Sequence, residues 1–251
     1  MNNTVKLLEP FNYVDEENGF FSMKTNCGDF IMNSQGKFIL DNLYDGISLK
    51  ELVDIFQRKY SVVQKQAELD IKEFLSSLKI VGIIHYENDL AAPQTKFNIA
   101  GELEYSSISE KIYANFNSTN NTWYSISKKK DYYNAYSLRS KSFNHHEIYY
   151  YSYDDQINSI IGLTNMSENN LVIGISLIQT SKGEDDLRDL YNYIENELKR
   201  LNRHKIRITL PENINSRTID LIKEFKFIQE GYLLLEDGKN NYYLFSKVLE
   251  N

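Results

Sequence analysis

A single cysteine, Cys27, is present in a chain of 251 residues. That excludes an internal disulfide framework and any metal site built from several thiolates. Flanked by strand-like sequence, Cys27 reads as a small buried residue. No apolar run reaches the length needed to span a bilayer, and Met1-Asn2-Asn3-Thr4 has neither the basic head nor the apolar run of a secretory signal. Basic residues are also in deficit. The 28 Lys and Arg against 35 Asp and Glu leave a net charge of −7, most of it in the first ninety residues. An acidic surface disfavours nucleic acid, because phosphate binding draws on clustered Lys and Arg. These absences point to a cytoplasmic protein with no metal, no nucleic-acid partner and no membrane partner.

What is present is enough for a core. The apolar fraction of 41%, with 13% aromatics, excludes a disordered chain, and the length allows one large domain or two small ones. Short strand-like segments, Phe20–Met23 and Asp29–Asn33, lead into a helix expected after Ser34 as N-cap, with Ile39 and Leu43 on one face and a stop at Asp45-Gly46. Ser48 with Glu51 three residues on forms a capping box for a second helix, whose inner face is Leu52, Ile55 and Phe56. Ala67, Ile71, Phe74, Leu75 and Leu78 mark a third helix, and Ile83-Ile84-His85 reads as a closing strand. Strands, three helices and a closing strand in this length fit a winged helix-turn-helix, expected over residues 1–88.

Residues 88–96 lose the apolar rhythm, include one of only three prolines, and are the expected linker to a second domain at 97–251. Residues 100–140 are expected to hold one strand and two helices. Beyond them come strands at Glu147–Tyr153, Ile157–Thr164 and Leu171–Ile178, the last apolar enough to be buried. A helix bearing Leu187, Leu190, Ile194, Leu198 and Leu201 follows, then a strand Ile206–Leu210. A helix capped by Asn215 or Ser216 precedes two final strands around Asp237-Gly238-Lys239-Asn240. The expected fold class is α+β, the second domain having a mixed central sheet.

The pattern Gly36-Lys37-Phe38-Ile39-Leu40, Asp45-Gly46-Ile47-Ser48-Leu49, Tyr60 and Phe74 through Ile84 resembles the PqqD-like domains over roughly residues 10–86. Such domains hold the leader of a ribosomally made precursor peptide while an enzyme modifies its core. The resemblance implies that the leader adds as a strand beside Asp29, Phe30, Ile31, Met32 and Asn33, facing Glu68, Ile71, Lys72 and Leu75 of the third helix. Its partners would be a precursor peptide and a separate maturation enzyme.

From Glu147 to Val248 the order of elements resembles the Gcn5-related N-acetyltransferases, and Asn215 through Gly231 looks like that family's C-terminal segment. The resemblance implies acyl-CoA, such as acetyl-CoA, as donor. It would lie along the buried strand at Ile175, Leu177 and Gln179, with its phosphates at Ser181, Lys182 and Gly183 and near Asn215. The chain departs from the family pattern in several places, among them Lys226 at the family's Gly before Phe and the lack of a Glu in Leu171–Ile178. Only one glycine of the phosphate loop is kept, with Thr180 and Asp185 at the other motif positions. Three acids, Glu184, Asp185 and Asp186, open the next helix, and Ile222 stands where the family carries a catalytic Tyr. Substitute proton-transfer groups are His145, His146 and Glu147 at the head of one strand, and Tyr232 late in the fold. Neighbours in a strand point to opposite faces, so both histidines cannot serve one site without a bulge or loop.

Three functions fit these residues. One is an acyltransferase acting on an amine of a ribosomal peptide, the fused recognition domain raising the local substrate concentration. A second is a non-catalytic scaffold presenting the peptide to a maturase. A third is a transcription regulator, which the balanced charges of Gln64 through Glu73 disfavour.

Overall fold

The computed structural model describes residues 4–7, 13–16, 19–25, 28–43, 46–81, 83–85, 95–116, 122–124, 130–144, 146–166, 171–234 and 240–250. The chain divides into two compact units, Met1–Ala91 and Ala92–Asn251. The fold is mixed α+β, and among the described residues no helix is long and apolar enough to cross a membrane. Cys27, most of the expected linker, His145 and the turn 237–239 lie outside the described residues.

Among the described residues the first unit holds two small sheets and three helices. Strands β1 (Thr4–Leu7), β5 (Ile47–Ser48) and β6 (Ile84–His85) form one sheet, with β1 in the middle. The other is an antiparallel meander of β2 (Val14–Asp15), β3 (Phe20–Thr25) and β4 (Gly28–Asn33), so β4 is an edge strand.

Helix α1 (Ser34–Asp41) starts one residue earlier than the sequence suggested. Asn33 is its N-cap, the side-chain oxygen accepting from Gly36 N–H at 2.9 Å, and Ser34 is already helical. It also ends short of Gly46: Asn42 closes it, and Leu43 is buried in the turn beyond. Gly46 does take a positive φ of 72°. Helix α2 (Leu49–Tyr60) carries the expected capping box, with Ser48 and Glu51 satisfying each other's backbone N–H. Helix α3 (Gln64–Ile80) buries Ala67, Ile71, Leu75 and Leu78 against Leu40, Leu52, Phe56, Met23 and Met32. Gly36 lets α1 approach α3, since a Cβ there would sit 2.7 Å from the Phe74 ring.

The second unit is built on one sheet in the order β13-β14-β12-β11-β10-β9-β7, with β8 paired to β11 off this path. Its strands are β7 (Phe97–Ile99), β8 (Thr122–Tyr124), β9 (Glu147–Asp154), β10 (Gln156–Asn165), β11 (Val172–Thr180), β12 (Lys205–Pro211), β13 (Ile228–Leu233) and β14 (Tyr242–Val248). Only β11 and β12 run parallel; the other pairs are antiparallel. Helix α4 (Tyr105–Ala114), a 3-10 turn (Lys130–Tyr133) and α5 (Ala135–Phe143) occupy the region between β7 and β9.

Helix α6 (Glu184–Arg200) packs Leu187, Leu190, Tyr191, Ile194 and Leu198 onto Tyr150, Ile161, Ile175 and Ile208 of the sheet. Helix α7 (Ser216–Glu224) joins the same core through Leu221 and Ile222, and Tyr191 stacks on Phe225 at 4.2 Å. Of the two residues considered as its cap, Asn215 takes the role, accepting from Thr218 N–H at 2.8 Å. The run Tyr149-Tyr150-Tyr151 is core throughout. All three rings are buried, and alternation sends Tyr150 alone to the α6 side.

Candidate functional site

The edge strand β4 follows the period of two that its sequence dictates. Phe30 and Met32 turn inward, Phe30 against Phe74 of α3 at 6.1 Å, while Asp29, Ile31 and Asn33 face solvent. β4 pairs with β3 from Phe20↔Asn33 to Thr25↔Gly28, and its other side has no strand among the described residues. Directly paired residues share a face, so Ile31 at 66% exposure, Ser22 and Val14 at 63% lie side by side on an open surface. Of the helix residues expected to face a leader, Glu68 and Lys72 pair with each other at 2.6 Å, whereas Ile71 and Leu75 belong to the core.

In the second unit, the expected donor strand is interrupted by a bulge. Gly162 pairs with Leu177 but Leu163 with Ile175, leaving Ser176 as the extra residue on β11. At the same level the parallel ladder to β12 ends, its last pair being Ile175↔Ile208. A bulge bends its strand, so β11 and β12 diverge beyond this point. The edge of β11 so released is taken by β8, in the register Leu177↔Tyr124, Ile178↔Trp123 and Gln179↔Thr122. Ile175, Leu177 and Gln179 are all buried. Gln179 Nε2 donates to the Lys111 carbonyl of α4 at 2.9 Å, and Gln179 Oε1 has no partner among the described residues.

The loop from β11 into α6 is held by its own hydroxyls and carboxylates. Thr180 Oγ1 donates to the Gly183 carbonyl at 3.0 Å and accepts from the Gly183 N–H at 3.2 Å. Gly183, at φ 113°, is the N-cap of α6. Ser181 uses both its N–H and its hydroxyl on the Asn158 carbonyl. Lys182, the expected phosphate ligand, is tied to Asp154, whose carboxylate raises the lysine pKa and is itself lowered. Asp186 is buried, accepting from Ser152 and, at 2.7 Å, from Ser159. Glu184 is clamped by Arg217 of α7 at 2.5 and 2.6 Å, a contact that holds its pKa down. Arg188 bridges Asp185 at 2.6 Å and Glu224 at 2.7 Å. A phosphate at this helix start would meet three carboxylates, and its nearest cations are already paired. Neither the occupied strand edge nor the loop, as arranged here, fits an acyl-CoA donor.

The proton-transfer candidates are scattered. Glu147 is 2% exposed and accepts from Tyr132 at 2.9 Å and from Tyr149, with Lys141 Nζ at 3.1 Å. Burial and the carboxylate push both tyrosines up, so they stay protonated. Burial brings Lys141 down to about 8 although Glu147 opposes the shift. Three donors thus converge on this carboxylate, tying β9 to α5 and the 3-10 turn. Glu147 is level with Thr164, and Thr164 with Gly174. Six residues of strand separate Gly174 from Thr180, so Glu147 lies about 20 Å along the strands from the phosphate loop. His146 is exposed and lines a pocket with Ile148, Leu163, Leu198 and Arg203 at that same far end. Tyr232, on edge strand β13, is exposed and raised by a hydrogen bond with Glu212. Among the described residues, Glu147, His146 and Tyr232 do not converge on one point. No group of three or more His, Cys, Asp or Glu residues able to hold a metal occurs among the described residues.

The one strand and two helices expected over residues 100–140 correspond to β8, α4 and α5 among the described residues. Arg217 was passed over because its partner Glu184 is 33 residues away.

Comparison with known proteins follows the same division. Residues 25–84 match the family model of coenzyme PQQ synthesis protein D (PqqD), a span from the last residue of β3 to the first of β6. The second unit resembles solved acetyltransferase structures. A probable acetyltransferase from Staphylococcus epidermidis is 14% identical, with 61% of this chain and 99% of that one covered at a TM-score of 0.51. The ribosomal-protein-S5-alanine acetyltransferase of Vibrio fischeri is 15% identical over 65% and 98% of the two chains, at 0.49. A Salmonella typhimurium protein solved with its cofactor acetyl-CoA is 12% identical over 63% and 96%, at 0.49. No curated protein matches the sequence. The chain therefore combines a PqqD-like segment in its first unit with a second unit that has the fold of solved acetyltransferases.

Proposed function

We propose that this chain binds the leader of a ribosomally made precursor peptide and presents the peptide for maturation, its acetyltransferase-like domain serving as a scaffold. The observation that carries the first half is the open edge of β4 within the span matched by the PqqD model. Strand addition there would draw affinity from backbone hydrogen bonds and selectivity from alternate side chains. The exposed Ile31 and Val14 offer apolar contact beside that edge. On this reading the first unit is a winged helix-turn-helix used for peptide, and residues 1–88 and 97–251 are the two functional domains.

The scaffold assignment rests on the strand β8 along Leu177–Gln179 and on the carboxylates at the start of α6. The fold itself favours a second reading, acyl transfer from acyl-CoA to an amine of the bound peptide. Fold alone does not license activity.

Calorimetric titration separates the two. Synthetic peptides encoded by short reading frames beside the gene should include one that binds the full chain and protects β4 amides from exchange. Acetyl-CoA and a longer acyl-CoA should give no heat. Micromolar binding of either thioester would replace the scaffold reading by the transferase, and failure of every peptide would remove the leader assignment.

A further inference from the structure

We infer that the pocket beside the C-terminal end of α6 binds a carboxylate that carries a short branched aliphatic chain. The pocket exists because the helix runs out before the sheet beneath it does. Helix α6 ends at Arg200, and Asn202, at φ 55°, turns the chain back towards β12. Tyr150 of β9 lies under the helix and is 4% exposed, whereas Ile148, two residues further out on the same face, is 39% exposed. Leu163, paired with Ile148, and Ile173 of β11 are buried together with Leu198 and wall the pocket. The cavity of about 60 Å³ has room for roughly four waters, or for one branched aliphatic group that displaces them. Apolar walls with a few polar groups at the rim are the usual form of a small-molecule site.

Charge decides what that aliphatic group is attached to. Acids outnumber bases in the chain by 35 to 28, yet no Asp or Glu is among the described residues that line this pocket. Arg203 does line it, and His146 adds its ring nitrogens at the exposed rim. The Arg203 charge is felt at the Tyr150 hydroxyl on the pocket wall: burial raises that group's pKa, Glu197 and Tyr193 add to the shift, and Arg200 and Arg203 oppose it. Glu197 is itself paired with Arg200 at 2.7 Å. A guanidinium carries several N–H donors in one plane and takes a carboxylate through two of them. A free short-chain acid and the C-terminal valine of a peptide offer the same branched tail and the same carboxylate. The pocket lies wholly in the second unit, so the inference is independent of the leader assignment.

The test follows the methyl resonances of Ile148, Leu163, Ile173 and Leu198 in the full chain. Isovalerate should shift them saturably. Isoamyl alcohol, the same tail without the charge, should bind about tenfold more weakly, as expected when hydrogen bonds to a charged group are lost. Acetate, the charge without the tail, should be weaker by about the same factor, because it leaves the apolar walls wet. Arg203→Met should bring isovalerate down to the level of the alcohol, and Arg203→Lys should recover part of the loss. Acetyl-glycyl-valine distinguishes the sources: binding as tight as isovalerate or tighter assigns the pocket to a peptide C-terminus, and weaker binding assigns it to a free acid. Failure of both isovalerate and this dipeptide to shift the four residues would overturn the inference. Equal binding of acid and alcohol, or a folded Arg203→Met that keeps full affinity, would do the same. If Arg203→Met fails to fold, the comparison of acid with alcohol in the unaltered chain decides.

Discussion

Lys141 Nζ lies 3.1 Å from Glu147 Oε2 in a buried cluster closed by the hydroxyls of Tyr132 and Tyr149. The lysine comes from α5 and the carboxylate from the head of β9, so the pair pins the helix to the sheet. The ammonium also sits 3.4 Å from the centre of the Tyr132 ring. Glu147, a candidate base on sequence grounds, has these three side chains as its partners.

The pair predicts a pH signature. Lys141 titrates at about 8 in the folded chain, below its ordinary value of 10.5, because burial outweighs the carboxylate. Between those limits the unfolded chain binds more protons, so stability should rise with pH through that window. Melting temperature measured from pH 7.5 to 10.5 should show this rise in the unaltered chain and lose it in Lys141→Met. Parallel curves would refute the depressed pKa.

Removing the carboxylate should be severe. Glu147→Ala removes the carboxylate from two hydroxyls and from the buried Lys141 ammonium, which keeps only the Tyr132 carbonyl, a change that costs about 3–5 kcal/mol. Urea unfolding measures it directly. A loss below about 1 kcal/mol would show that the cluster does not hold α5 in place.

Asp186 makes a similar anchor at the other end of β11. Its carboxylate accepts from Ser152 and Ser159, which lie on adjacent strands. Asp186→Ala should destabilise the second unit by about 3 kcal/mol, since hydrogen bonds to a charged group are stronger than neutral ones. Asp186→Asn should recover part of that loss. If alanine is as stable as asparagine, the hydroxyls have found other partners.

In the first unit, Gly36→Ala places a methyl 2.7 Å from the Phe74 ring, and Phe74 rests on Phe30 of β4. Overpacking of this kind costs about 1–3 kcal/mol. Displacement of Phe30 should also shift the amide resonances of β4. Unchanged β4 resonances would mean that Phe74 yields without pushing on the strand.

The acids at α6 predict an electrostatic response. Glu184→Gln with Asp185→Asn frees Arg217 from its paired carboxylate and leaves Arg188 paired with Glu224 alone. Affinity for inorganic pyrophosphate should rise several-fold at low salt and fall back as salt screens the site. An unchanged affinity would show that the carboxylates are not what keeps anions away.

Local chemistry was legible in the sequence. The box of Ser48 and Glu51, the asparagine before α7 and the apolar stripe of α6 each act within a few residues. The strands from β9 to β12 announced themselves through continuous apolar runs, as expected for a sheet covered on both faces. The resemblance to the acetyltransferases followed from the order of those elements, and that to PqqD from the residue pattern between Gly36 and Ile84.

Tertiary structure decided the site. Whether Leu177 and Gln179 meet a donor or a strand depends on residues 122–124, which lie about fifty positions earlier. Whether Lys182 points to a phosphate depends on Asp154, and whether Glu147 is a base depends on Lys141, Tyr132 and Tyr149. Sequence sets the propensities that act along the chain. Charges, hydrogen-bond partners and strand edges act through space, and their pairing is settled only when the sheet is assembled.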